Sequence, residues 1–157
     1  MMNSNRDKIV QEFCNLICKV SKYLNCTSVQ LADPVFHNNW SPKQLLVYLT
    51  SRDRFVLKKR IPHMMKGMGF PECSDFERFH QSVSNALGNQ FIEELFRDFI
   101  LIRKMLIRQI QHIPEFEWSR KLSFESFEFT FQEYFEHMLK QEQPYFIAID
   151  EILFEKN

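Results

Sequence analysis

Apolar residues recur along this chain at intervals of three and four, the spacing of one face of an α-helix. Ile9, Phe13, Leu16, Ile17, Val20 and Leu24 form the first stripe and predict a helix over residues 6–24. A loop follows through residue 39, marked by Asp33 and Pro34. The second helix has the clearest start. Ser41 suits the cap, Pro42 suits a first helical position where a missing N–H costs nothing, and Gln44 can answer the cap with its side chain. Leu45, Tyr48, Leu49, Arg52, Val56 and Lys59 trace one face and its border, flanked by Leu46, Asp53 and Phe55. Pro62 predicts the end of this helix near Arg60.

A third stripe runs through Ile92, Leu95, Phe96, Phe99, Ile102, Leu106, Ile107 and Ile110. It predicts a helix over residues 89–112, closed by Pro114. The last helix begins after Thr130, where Glu133 completes a second capping box. Phe131, Phe135, Met138, Tyr145, Ile149 and Ile152 supply its apolar content, and Pro144 inside it predicts a kink or a split. Residues 61–88 are the least regular, with Gly67, Gly69 and Pro71, and a short helix over residues 75–87. A connection of that length reads as a lid or a pocket wall, with a floppy insertion as the alternative. Phe124, Phe127 and Phe129 alternate in a segment that could seal one end, and no β-rich region is long enough for a sheet. The expected fold is all-α: one four-helix-bundle domain over residues 1–157, with a long middle connection containing a short helix.

Composition narrows the function. Twenty basic residues balance twenty acidic ones, so no basic field points to nucleic acid. The run Lys58, Lys59, Arg60 falls at the expected end of the second helix, where positive charge suits the dipole. No apolar run approaches the roughly twenty residues that span a bilayer. Cys14, Cys18, Cys26 and Cys73 follow no secretory leader, which points to a reducing cytoplasm. Cys14 and Cys18 share a helix face and read as small core residues rather than half of a zinc site. His37, His63, His80 and His112 form no HxxH or HExxH pair. Without a Gly-rich phosphate loop or a nucleophile elbow, kinase, dinucleotide-binding and classical hydrolase readings lack support.

The two capped helix starts resemble each other. An aromatic, Trp40 or Phe129, precedes the cap, and a polar ring, Tyr48 or His137, follows it by seven residues. If both helices enter the bundle alike, these rings lie at one height and could face one cavity. They could equally be interfacial aromatics packed on neighbours.

The segment WSPKQLLVYLTSRDRFVLK resembles the second-helix signature of the DinB-like four-helix-bundle superfamily, matched at Trp40, Ser41, Lys43, Leu45, Leu46 and Leu49. TFQEYFEHMLKQEQPYFIAI resembles its last helix, and the likeness covers most of residues 6–154. Many members bind a divalent metal, often nickel or zinc, through three histidines. One lies on the second helix and two, four residues apart, on the last. Those positions fall on Tyr48, His137 and Gln141, and only His137 keeps the ligand type. The resemblance therefore argues against simple transfer of the metal-dependent role and implies a degraded or altered metal site, to which Glu133 and Glu142 could add oxygen ligands, with only Glu133 on the face of His137. A second branch, similar to the colibactin self-resistance proteins, shares the bundle, lacks the three histidines and has a tyrosine in a Val-Tyr-Leu-like setting. It implies hydrolysis or sequestration of a reactive small molecule. The signature's later tryptophan is missing, and Arg52, Asp53 and Arg54 occupy that vicinity.

The expected function is a small-molecule hydrolase or transferase of a detoxification or resistance type. Tyr48 would donate to developing oxyanion charge and His137 would serve as general base or ligand, oriented by Glu133 or Gln141. Arg52 would bind an anionic group or sit on the rim paired with an acid. The alternative is a non-catalytic small-molecule-binding or stress-associated bundle, with Met64, Met65 and Met68 at an adaptable mouth or plugging the end. No cofactor is expected, and a metal held by His137, Gln141 and Glu133 stays open only as a loose site. The expected partner is a small-molecule ligand, with neither nucleic acid nor membrane. A homodimer is allowed through aromatics such as Phe91, Phe99 and Phe146.

Overall fold

The computed structural model describes residues 4–23, 40–66, 91–124 and 127–153. Its long helices are α1 (Ser4–Tyr23), α2 (Pro42–Phe55), α4 (Ile92–His112) and α6 (Phe131–Leu153). They form an all-α four-helix bundle, as the apolar stripes predict. α4 packs against both α1 and α2, and α1 also packs against α6. The stripes meet in one core. Phe13, Phe96, Phe99, Phe131, Phe135, Phe146 and Trp118 are all buried there, each ring contributing about 1.5–3 kcal/mol. Trp118 stacks within 12° of the planes of Phe131 and Phe135. Phe99 and Phe146 are thus core residues rather than dimer contacts, whereas Phe91 is exposed.

Both predicted caps form. Ser41 Oγ accepts from Gln44 N at 3.2 Å, and Gln44 Oε1 accepts from Ser41 N at 2.8 Å. Glu133 N donates to Thr130 Oγ1 at 3.2 Å, and Glu133 Oε1 accepts from Thr130 N at 3.2 Å. Each pair satisfies two amides that a helix start leaves unmade.

The second helix does not stop at Arg60. It widens into a π-turn, Val56–Arg60, and continues as α3, Ile61–Met65. Ile61 N–H reaches back five residues to Val56 O. Pro62 lacks an N–H and would crowd the carbonyl four residues before it in a regular helix. The wider turn relieves that conflict, so the proline ends the α register and not the helix. The run Lys58, Lys59, Arg60 therefore lies inside a continuous rod rather than at a helix end.

Pro144 does not split α6. Both Pro144 and Lys140, whose carbonyl loses its donor, lie on the exposed face, where water can serve. After α4, a short α5 (Glu115–Trp118) leads into β1 (Leu122–Phe124) and β2 (Phe127–Phe129). These pair antiparallel with Leu122 opposite Phe129, so the alternating phenylalanines mark a small hairpin. Arg6 of α1 closes the end of α4, donating to Ile113 O at 2.6 Å and Ile110 O at 3.3 Å while its guanidinium lies 4.5 Å from the Trp118 ring. A cation here satisfies terminal carbonyls and the helix dipole together. Cys14 is half-buried against the core, but Cys18 is exposed, since the outer edge of α1 carries it past the stripe. The short helix expected over residues 75–87 and the positions of His37, His80, Cys26, Cys73 and Met68 lie outside the described residues.

Candidate functional site

Three charged residues occupy inward positions among the apolar stripes. Asp53 follows Leu46 and Leu49 on α2, Arg103 lies between Phe99 and Leu106 on α4, and Glu142 lies between Leu139 and Phe146 on α6. All three are fully buried. Arg103 Nε donates to Asp53 Oδ2 at 2.7 Å, and both of its terminal nitrogens reach Glu142 at 3.1–3.2 Å. Its guanidinium also lies 4.9 Å from the rings of Phe13 and Phe99. Arg52 completes the cluster, with Nη2 donating to Asp53 Oδ1 at 3.0 Å and Glu142 Oε1 at 3.1 Å. Two positive and two negative charges thus cancel where an isolated charge would be prohibitive. Burial alone would lower the pKa of Arg52, but the charges of Glu142 and Asp53 outweigh it and raise the value. Its Nε finds no partner among the described residues.

Arg52 also lines a cavity of about 590 Å³, walled by Phe127 and Phe129 of the hairpin and by Tyr134, Met138, His137, Gln141 and Glu133 of α6, with Arg60 and Glu128. Arg60 Nη1 donates to the Tyr134 hydroxyl at 2.9 Å. The same guanidinium lies 5.1 Å from the Phe55 ring. Burial raises the pKa of Tyr134, and Arg60 opposes the shift. The phenol therefore stays neutral at physiological pH. His137 and Gln141 are exposed and make no hydrogen bond among the described residues. Glu133 Oε1 serves the Thr130 cap, not His137.

The cavity gathers Arg52, Glu133, His137 and Gln141 but not Tyr48. Tyr48 is half-buried, its ring 5.2 Å from Trp40, beside Val47 and Leu95. Met64 and Met65 pack into or against the core, and the methionine lining the cavity is Met138. His63 and His112 each bond through Nδ1 to the carbonyl four residues before, at 2.7 Å. Sequence reasoning missed Arg103, Asp53, Tyr134 and Arg60 as site residues. The available signal was a charge at an apolar register of three separate stripes, with signs that complement one another.

Among the described residues, no group of three or more His, Cys, Asp or Glu could hold a metal ion. His137, Glu133 and the amide of Gln141 share the cavity but do not make such a group. No described helix is long and apolar enough to cross a membrane.

No protein-family model matches this sequence, and a search among curated proteins returns no match. Among solved structures, the chain is similar to YfiT from Bacillus subtilis, described as a probable metal-dependent hydrolase with an unusual four-helix bundle topology. The two superpose with a TM-score of 0.75 over 97% of this chain and 88% of the other, at 10% sequence identity. That likeness shows that the two chains share a four-helix-bundle fold.

Proposed function

We propose that this chain binds a small molecule with an apolar body in the cavity between the second helix, the hairpin and α6, and acts in detoxification or resistance by sequestering it. The observation that carries this reading is the cavity: its volume suits a ligand of ordinary drug size, and Phe127, Phe129, Met138 and Tyr134 surround a few polar groups. The polar groups are arranged for recognition. His137 has no orienting carboxylate among the described residues, and Tyr48 packs elsewhere. A general base ordinarily needs both a partner to orient it and a substrate within reach.

Turnover by a hydrolase or transferase is the second reading, favoured by the fold shared with a protein described as a probable metal-dependent hydrolase. In that reading His137 is the base, and Arg52 steadies developing negative charge from the edge of the ionic cluster.

The test is fluorescence titration with N-phenyl-1-naphthylamine, a neutral aromatic probe, on the whole chain and on Gln141→Trp. Gln141 is exposed and lines the cavity, so an indole there fills it without entering the core. One saturable site that disappears in Gln141→Trp, with the melting temperature unchanged, is the expected result. Equal binding by both proteins would refute the cavity as the site. His137→Ala then separates the two readings, because an enzyme loses turnover far more than affinity.

A further inference from the structure

We infer that the outward face of α4 is a self-complementary docking surface, on which a second copy of this chain packs antiparallel about a two-fold axis through Leu101.

Two large apolar side chains stand out from this helix. Leu101 is 58% exposed and Met105 46%, one turn apart on the same side. α4 gives its other side to α1 and α2 and leaves this one exposed. Single apolar residues at a surface are ordinary. What distinguishes this pair is the order of the charges around it.

Glu94 and Arg108 lie seven residues before and after Leu101, and Asp98 and Lys104 lie three before and after. At about 100° per residue, positions seven away return to within about 20° of Leu101, and positions three away stand about 60° to either side. All four charges therefore share the face of Leu101, acidic toward the N-terminus and basic toward the C-terminus. Glu94, Lys104 and Arg108 are exposed and Asp98 is half-buried. None of the four side chains has an ion-pair or hydrogen-bond partner among the described residues.

Within one chain this order is unfavourable. Glu94 and Asp98 are like charges four apart, as are Lys104 and Arg108. The helix dipole answers charge in the first and last turns only, which here hold Glu93, Glu94 and His112. Asp98 and Lys104 stand further in, where the dipole does not serve them.

A second copy answers all four. Rotation by 180° about an axis through Leu101, perpendicular to the helix, carries each position to the same distance on the other side. Glu94 of one protomer then faces Arg108 of its partner, Asp98 faces Lys104, and Leu101 meets Leu101. An isologous contact makes each pair twice, which surrounds the apolar centre with ion pairs. Met105 falls opposite Arg97, whose methylene stem can cover it. A parallel copy would set like charge against like. The stretch from Glu94 to Arg108 is about 21 Å long, short for an obligate interface, so the dimer is reversible. α4 contributes no residue to the cavity wall, so this pairing and the binding role of the cavity stand or fall separately.

The test is sedimentation equilibrium of the whole chain at low salt, over about a hundredfold range of concentration. The mass should rise from 19.0 kDa toward twice that value. Leu101→Lys puts like charges at the axis and should weaken the dimer more than about tenfold. Asp98→Lys and Lys104→Asp should each do the same, since each sets like charge against like twice. Asp98→Lys combined with Lys104→Asp restores opposite charges across the axis and should recover most of the affinity. A chain that stays at 19.0 kDa throughout would overturn the inference. So would mass growing beyond two chains, because an isologous contact closes at two. A dimer indifferent to Leu101→Lys would place the contact on another face and also overturn it. A combined variant as weak as either single one would reject the antiparallel register. If Leu101→Lys does not fold, the charge exchange alone decides.

Discussion

The ionic cluster and the cavity lie side by side, share Arg52 and treat polar groups in opposite ways. In the cluster, Asp53, Arg103 and Glu142 have no exposed surface, and each charge meets an opposite charge within 3.2 Å. In the cavity, His137 and Gln141 make no hydrogen bond among the described residues, and Arg60 donates to the Tyr134 hydroxyl at 2.9 Å. A satisfied buried network fixes the relation of the helices that contribute to it and has little left to offer a ligand. Polar groups exposed on an apolar wall, as His137 and Gln141 are, can be recruited by one. The cluster ties α2, α4 and α6 together, and the cavity uses the rigid edge this creates.

Breaking the cluster should have the largest effect. Arg103→Met leaves Asp53 and Glu142 buried with only Arg52 to answer them, and should cost about 3–5 kcal/mol by urea unfolding. A loss under about 1 kcal/mol would mean that the carboxylates escape to water and that the helices are held by apolar packing alone.

Tyr134 belongs partly to both regions, being buried yet on the cavity wall. Tyr134→Phe removes the acceptor for Arg60 and should cost about 1–2 kcal/mol at neutral pH. The pH dependence has a definite sign. The folded-state pKa of Tyr134 is raised above its ordinary 10.0. Its contribution is therefore fully present below the unfolded value and lost as pH rises through the folded one. Melting temperatures above pH 10 should fall more steeply for the unmodified chain than for Tyr134→Phe. Parallel curves would show that the phenol ionises without reference to folding.

The caps set a smaller scale. Ser41→Ala and Thr130→Ala should each cost about 1 kcal/mol, with Ser41 the larger because its site is buried. Thermal unfolding of the two variants checks this. A smaller cost at Ser41 would show that water replaces its bond.

The smallest effect belongs to the cavity. His137→Ala should change stability by less than about 0.5 kcal/mol, because the ring is exposed and carries no hydrogen bond among the described residues. Chemical denaturation checks this, and a loss comparable to that of Arg103→Met would erase the distinction between the regions.

Local signals were legible in the sequence. The two capping boxes and the four apolar stripes depend on residues three to seven apart, and the structure reproduces both. Pro62 misled because its conflict with the α register can be resolved by widening the helix instead of ending it. Tyr48 and His137 follow their caps by equal distances, but equal height does not set direction around the axis. Packing turns Tyr48 toward Trp40 and leaves His137 at the cavity. The joining of Asp53, Arg103 and Glu142 escaped notice because each charge alone reads as solvated or as a surface ligand. Only their meeting in space makes burial tolerable, and the bonds that make it join residues 39 and 50 positions apart. The hairpin strands, three residues each, are too short to carry a period.

The most direct test of the cavity as the working site is a methyl NMR titration of the whole chain, labelled at methionine, with N-phenyl-1-naphthylamine. Met138 lines the cavity, Met64 is buried in the core, and Met105 is exposed on α4. A saturable shift of the Met138 methyl, with Met64 and Met105 unmoved, is the predicted result. A silent Met138, or non-saturating shifts led by Met105, would contradict the account and place any binding on the outer surface of the bundle.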